Sequence, residues 1–458
     1  MDINPLIVIP TFWTRGEKVR SERAATEGRE GRQRSHGSRG DSFDAANAGA
    51  PFSHPTALDN PHPPLADCLT SLSRVQGVGR IALLVATTDS AIDVRADERV
   101  REIAAAFPHL NISVFGSVEV GSLFRRLEQL ELGTIIEALS IKSYGAVRNL
   151  GLIVASILCE NAVVFIDDDE IIDHADFLAR ALFGIGHPIH SGGYLFAKSG
   201  LITDMTGDYY QAGGGQLRDD KDPLPSLAVP KSSATWADAF WRQQDALNKA
   251  IQIALKPPRL HRSTMAFGGC MVIHREMFSK IAFDPWIMRG EDVDYVINAR
   301  LHGGDVYLDD QWTIRHNSPA TDRGPAARFR QNIYRFIYEH RKLEFAKSQV
   351  DLAQVTAQSL MPYPGSLLTQ SVGFQALITG LLHTIAGPER GQYWRSALDA
   401  FGKANAYARK NCVNYFALQR MWSHTMEKLS CDVALQSLFT GQRSVDRSAL
   451  TGSFKALS

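Results

Sequence analysis

Short apolar runs alternate with amphipathic stretches through the first part of the chain. PLIVIPTF (5–12) is an apolar run closed by Pro10, Thr11 and Phe12, the pattern of a buried strand. Residues 64–75 set Leu65, Cys68, Leu69 and Leu72 on one helical face. IALLVATTD (81–89) predicts a second buried strand, 94–107 a helix, NISVFGS (111–117) a strand, and 118–131 and 143–160 further helices. NAVVFIDDDE (161–170) predicts a strand that runs straight into carboxylates. Such an alternation is that of a mostly parallel sheet covered by helices on both faces, the α/β class. Ligands in such sheets bind beyond the carboxyl ends of the strands. Thr11, Thr87 to Asp89, and Asp167 to Asp169 all end predicted strands.

Two segments break the pattern. Residues 15–50 carry eight Lys or Arg from Arg15 to Arg39, interleaved with acids, and almost no large apolar residue. That composition cannot offset the entropy of ordering and predicts a disordered insertion. Residues 211–235, rich in Gly, Pro, Ser and Asp, predict a long binding loop or lid. Between and after them come GGCMVIHREMF (268–278), WIMRGEDVDYVINARLHGG (286–304) and DVYLDDQWTIRHN (305–317). Beyond Pro319 the periodicity is helical, most clearly over 325–346 and 393–430. The expected organisation is a catalytic domain of residues 1–14 and 51–320, the insertion at 15–50, and a helical C-terminal region at 321–458.

Composition narrows the class. Lys plus Arg equals Asp plus Glu, 49 each, so no net charge steers the protein toward nucleic acid or anionic membrane. The five cysteines lie far apart, which favours reduced thiols over a zinc site or a disulfide framework. No signal peptide and no run of 18 apolar residues is visible, so the expected location is cytoplasmic. The most apolar stretch, Val372 to Ala386, contains Gln375 and His383 and is expected to be a buried helix rather than a membrane contact, although peripheral contact remains open.

The candidate chemistry starts at Asp167, Asp168 and Asp169. Adjacent carboxylates repel, and strand packing does not need them. A hard divalent cation, Mn2+ or Mg2+, would relieve the repulsion and also bridge phosphates. In an extended chain Asp167 and Asp169 point to one side. The alternatives are a solvated acidic turn or a phosphatase of the haloacid dehalogenase type, whose motif Glu170 interrupts. Gly268 and Gly269 permit close backbone approach. Glu291, Asp292 and Asp294 open a predicted helix, where acids also serve as caps, while Asp292 or Glu291 could hold an acceptor hydroxyl as general base. His316 ends a strand-like run, and a neutral imidazole can ligate Mn2+-like ions.

Taken in order, PLIVIPTF, the strand ending at Asp89, KSYGAVRNLG (142–151), FIDDDE, FGGCMVIHREMF, MRGEDVDYVINARLHGG and RHN resemble the GT-A glycosyltransferases, especially family-2-like members. The resemblance implies a GT-A, Rossmann-like sheet and a metal-dependent transfer of a hexose from a UDP- or GDP-sugar to a saccharide or small-molecule hydroxyl. It implies that Pro10, Thr11 and Asp89 line the nucleotide pocket and that Lys142, Arg148 and Asn149 lie near the base or diphosphate. Asp167, Asp168 and Asp169 would be the D-x-D segment, with Asp167, Asp169 and His316 on the metal. Gly268 and Gly269 would shape the floor between donor and acceptor, and Glu291 and Asp292 would stand on the acceptor side. No nucleic-acid partner is implied, and a homo-oligomer is compatible with it. A GT-A-shaped scaffold without turnover and a sugar nucleotidyltransferase are the competing readings; the second calls for a Gly-rich basic loop after the first strand, which residues 12–16 match weakly.

Overall fold

A computed structural model describes residues 3–15, 52, 55–189, 192–209, 243–317, 325–386 and 390–440. Of the insertion at 15–50 only Arg15 is among them, and the predicted loop at 211–235 lies outside them.

One mixed sheet organises the described chain. Its strands are β1 (Pro5–Thr14), β2 (Thr56–Ala57), β3 (Arg80–Thr87), β4 (Asn111–Phe115), β5 (Ala162–Phe165), β6 (Glu170–Ile171), β7 (Ala197–Thr203), β8 (Leu260–Arg262), β9 (Met271–His274) and β10 (Tyr307–His316). The spatial order is β4-β3-β1-β5-β9-β7-β10-β6, with β2 on β1 and β8 on β10. The first four of these strands are parallel, and β9 enters antiparallel to both β5 and β7. From β1 the chain passes to β3 on one side and later to β5 on the other, which opens a crevice at their carboxyl ends.

Helices cover both faces: α1 (Pro64–Leu72), α2 (Asp93–Ala105), α3 (Ser117–Gln129), α4 (Tyr144–Ile157), α5 (Phe177–Leu182), α6 (Gln243–Ala254), α7 (Arg275–Phe278) and α8 (Glu291–Leu301). Burial of every residue of β1 follows from this two-sided cover. On one side Ile7, Ile9 and Trp13 pack with α1 and α2; on the other Leu6, Val8 and Phe12 pack with α3 and α4. The α/β class and the helical C-terminal region expected above are both present. The predicted strand 161–170 is interrupted: β5 stops at Phe165, the carboxylates occupy a turn, and Glu170 begins β6 against β10.

The C-terminal helices are α9 (Pro325–Ala346), α10 (Val372–Ala386), α11 (Arg390–Leu429) and α12 (Val433–Thr440). They are joined to the sheet half by buried charge. Lys342 of α9, fully buried, lies 2.6 Å from Asp284 and 2.7 Å from Asp294, and donates to Asn298 at 3.1 Å. Its ammonium also sits 4.1 Å from the centre of the Tyr415 ring of α11. Tyr338 donates to Asp284 at 2.8 Å.

Two expectations are corrected here. Cys159 and Cys431 form a disulfide, so these two thiols are not reduced, while Cys68, Cys270 and Cys412 are free and buried. The two cysteines follow the ends of α4 and α11, which a chain separation of 272 residues hides from any spacing rule. Val372–Ala386 is helical but not fully buried: Phe374, Ile378 and Leu381 are exposed on one face. Among the described residues no helix is long and apolar enough to cross a membrane.

Removing one partner of a buried charge cluster strands the others. Lys342→Met is therefore expected to destabilise the protein by about 3–5 kcal/mol, read as a lowered urea midpoint by circular dichroism.

Candidate active site at the β1–β5 crevice

The carboxylates expected at a strand end do cluster at the crevice, but they fan outward. The turn closes through the Glu170 N–H donating to the Asp167 carbonyl at 3.2 Å. An extended strand would have set Asp167 and Asp169 side by side; the turn sends the three side chains to three different partners. Asp167 accepts from Arg148 Nη2 at 2.9 Å. Asp168 turns under β1 and accepts from the Thr11 hydroxyl at 2.6 Å. Asp169 faces His316, with Oδ1 to Nδ1 at 3.6 Å, and its carbonyl accepts from the Asn317 N–H at 2.8 Å.

Glu170, fully buried, forms the floor. One carboxyl oxygen accepts from the Asp167 N–H at 2.9 Å, and the other, Oε1, has no hydrogen-bond partner. Burial raises the Asp168 and Glu170 carboxyls well above the usual range, aided by the neighbouring acids, and pushes Asp169 up to about 6. Excess buried negative charge with an unsatisfied oxygen is what a hard cation neutralises, and carboxylate oxygens beside an imidazole suit Mn2+ or Mg2+. Among the described residues no three His, Cys, Asp or Glu side chains already stand around one point as a finished metal site.

Arg148 ties this turn to the far wall. Projecting from α4 and almost fully buried, it donates Nη2 to Asp167 and Nε to Glu291 Oε1 at 3.1 Å, and stacks over Phe165 at 5.0 Å. Burial opposes its charge, but Asp167 and Glu291 outweigh that and raise its pKa. Glu291 is pushed up to about 7 by burial and by Asp292.

The glycines are required by contact. A Cβ on Gly268 would strike the Arg148 guanidinium, and one on Gly269 would strike the Glu170 carboxyl. The backbone N–H of Gly268 donates to Asp292 Oδ2 at 3.0 Å, while Oδ1 accepts from Val293 N–H at 2.8 Å. Asp292 is thus held by two backbone donors and is partly open to solvent. Gly290 caps α8 in the left-handed region, at φ 72°, with Arg335 of α9 packed against it.

The other expected residues divide. Thr11 reaches the site; Pro10, one residue earlier in β1, is buried in the sheet. Asp89 caps the short turn Ser90–Ile92 and pairs with Arg15 at 2.6 Å at the end of β3. Lys142 is exposed just before α4. Asn149 is fully buried and exchanges hydrogen bonds with the Phe283 backbone at 2.8 and 3.0 Å.

Sequence reasoning missed Glu170 as a site residue and missed Arg335 altogether. Glu170 was visible as a fourth acid after the aspartates. Arg335 lies in a helical stretch that carries no local mark of its contact with Gly290.

No protein-family model matches the chain, and no curated protein matches it in sequence. Among solved structures it is similar to a mannosyltransferase from Pyrobaculum calidifontis in complex with GDP-Man and Mn2+, at 12% identity and a TM-score of 0.40, over 95% of this chain and 89% of that one.

Because folding raises the Glu291 pKa from 4.5 to about 7, the folded state holds a proton there that the unfolded state has released. Its contribution is greatest below pH 4.5 and is lost as pH rises through 7. Glu291→Gln should therefore differ from the parent protein chiefly in the slope of stability against pH over that window, with the variant flatter, in urea titrations at several pH values.

Proposed function

We propose that this protein is a metal-dependent glycosyltransferase that moves a hexose from a UDP- or GDP-linked sugar to a hydroxyl of a saccharide or small-molecule acceptor. One observation carries the reading: three buried carboxylates, Asp168, Asp169 and Glu170, crowd the half-buried Asp167 at the β1–β5 crevice and are faced by a glycine turn whose backbone holds Asp292. The order of motifs along the chain, which resembles the GT-A glycosyltransferases, is the second support.

In this reading Asp167, Asp169 and His316 hold Mn2+ or Mg2+, which as a Lewis acid supplies charge stabilisation for the departing nucleoside diphosphate. Arg148 keeps Asp167 and Glu291 at fixed separation and adds a positive charge beneath the diphosphate. Lys142, exposed at the start of α4, is available to the same phosphates. Thr11 holds Asp168 down so that it does not compete for the cation. If transfer inverts the anomeric carbon, Asp292 takes the proton from the acceptor hydroxyl as the new C–O bond forms and the bond to the diphosphate breaks. If configuration is retained, Asp292 and Glu291 grip the acceptor instead.

A donor screen tests the reading. The protein is mixed with Mn2+ or Mg2+ and each UDP- or GDP-sugar, and release of nucleoside diphosphate is followed. Release from one donor, abolished by EDTA and lowered at least about a hundredfold in Asp169→Ala, is the expected outcome. Pyrophosphate as the product would replace the reading with nucleotidyl transfer. An Asp169→Ala protein with full metal-dependent activity would remove the central assignment, and no release or thermal shift with any nucleotide would favour a scaffold.

A further inference from the structure

The helical hairpin of α10 and α11 carries an apolar surface that the described residues leave uncovered. Phe374, Ile378 and Leu381 recur at helical spacing on the outer side of α10, with Phe374 62% exposed and Leu381 47%. On α11, Trp394 and Leu398 are exposed one turn apart, Leu398 at 50%. The two sets adjoin. Gly380 packs against Ala397 and the Tyr393 backbone so closely that a Cβ there would crowd both, so α10 crosses α11 at the turn that bears Trp394 and Leu398, with Leu381 the next residue after the crossing. The inner sides of both helices are satisfied: Val372, Ala376, Tyr393 and Ala397 belong to the core shared with α9.

Charge in this stretch of the chain is predominantly positive. Between residues 372 and 413 there are five Lys or Arg and two acids, Glu389 and Asp399. Arg395, Lys403, Arg409 and Lys410 are exposed along α11. The chain as a whole is neutral, at 49 charges of each sign, so this cationic excess is local.

We propose that this hairpin docks the protein on the surface of an anionic lipid bilayer, its apolar side in the headgroup region and its α11 cations over lipid phosphates and carboxylates. An apolar stripe beside clustered Lys and Arg, with a Trp at its edge, is the composition of a helix that lies in the interface plane. The 15 residues of α10 are too few to span, so the mode is peripheral. A second copy of the chain suits the patch less well: a two-fold interface sets a surface against itself and would bring the α11 cations onto their own counterparts. The proposal is independent of the transfer reaction, since it uses none of the crevice residues.

Vesicle co-sedimentation of the full chain, without donor or metal, tests it. Vesicles of phosphatidylcholine with roughly one third phosphatidylserine should pellet the protein, pure phosphatidylcholine much less, and raised salt should release it. Phe374→Ser with Leu381→Ser is expected to weaken binding at least about tenfold, and Arg409→Gln or Lys410→Gln about three- to fivefold each. All four positions are exposed, so an unchanged thermal midpoint confirms that each variant is folded. No sedimentation with the anionic vesicles, equal binding to neutral ones, or folded variants that bind like the parent would each overturn the proposal. So would a dimer by light scattering that the Phe374 and Leu381 substitutions convert to monomer while vesicle binding stays absent.

Discussion

A single guanidinium holds the crevice together. Four carboxylates at the end of β5 and two more at the head of α8 would push the walls apart if left to themselves, and a buried charge without a partner costs several kcal/mol. Arg148 answers both walls at once, one nitrogen to Asp167 and another to Glu291. Its placement fixes its neighbours in turn. Because its guanidinium sits over Phe165 and against the backbone of Gly268, position 268 admits no side chain. Because Gly268 is held there, its N–H meets Asp292.

The same arrangement gives each acid a partner. Asp168 is engaged by Thr11, Asp167 by Arg148, and Glu291 by the same arginine. Asp169 is left facing His316, and Asp292 is left at the rim, oriented by backbone alone.

The sequence made the α/β plan legible because β1, β3 and β5 are buried on both faces and therefore read as unbroken apolar runs. Asp167 to Asp169, Gly268, Gly269 and Glu291 with Asp292 stood out by residue type, and the fold gathers them in one place. Periodicity failed at Asp167 to Asp169, where a turn replaces the strand and alternation no longer says where a side chain points. Arg335 and the Cys159–Cys431 pair were out of reach, since both depend on contacts between segments far apart in the chain. The apolar stretch at 372–386 was visible as apolar, but composition does not record which of its residues the partner helix covers.

The charge cluster around Lys342 bears on the order in which the chain can fold. Asp284 and Asp294 flank and open the helix that presents Glu291 and Asp292, yet the ammonium that neutralises them is some fifty residues further along. On the ribosome, the sheet can assemble while those two acids still require water or protons. The α8 wall of the crevice lacks its buried counter-ion until α9 has emerged and docked, and the aromatic ring behind Lys342, Tyr415, arrives later still. A nascent chain is therefore without a finished crevice until residues as late as Tyr415 have been made.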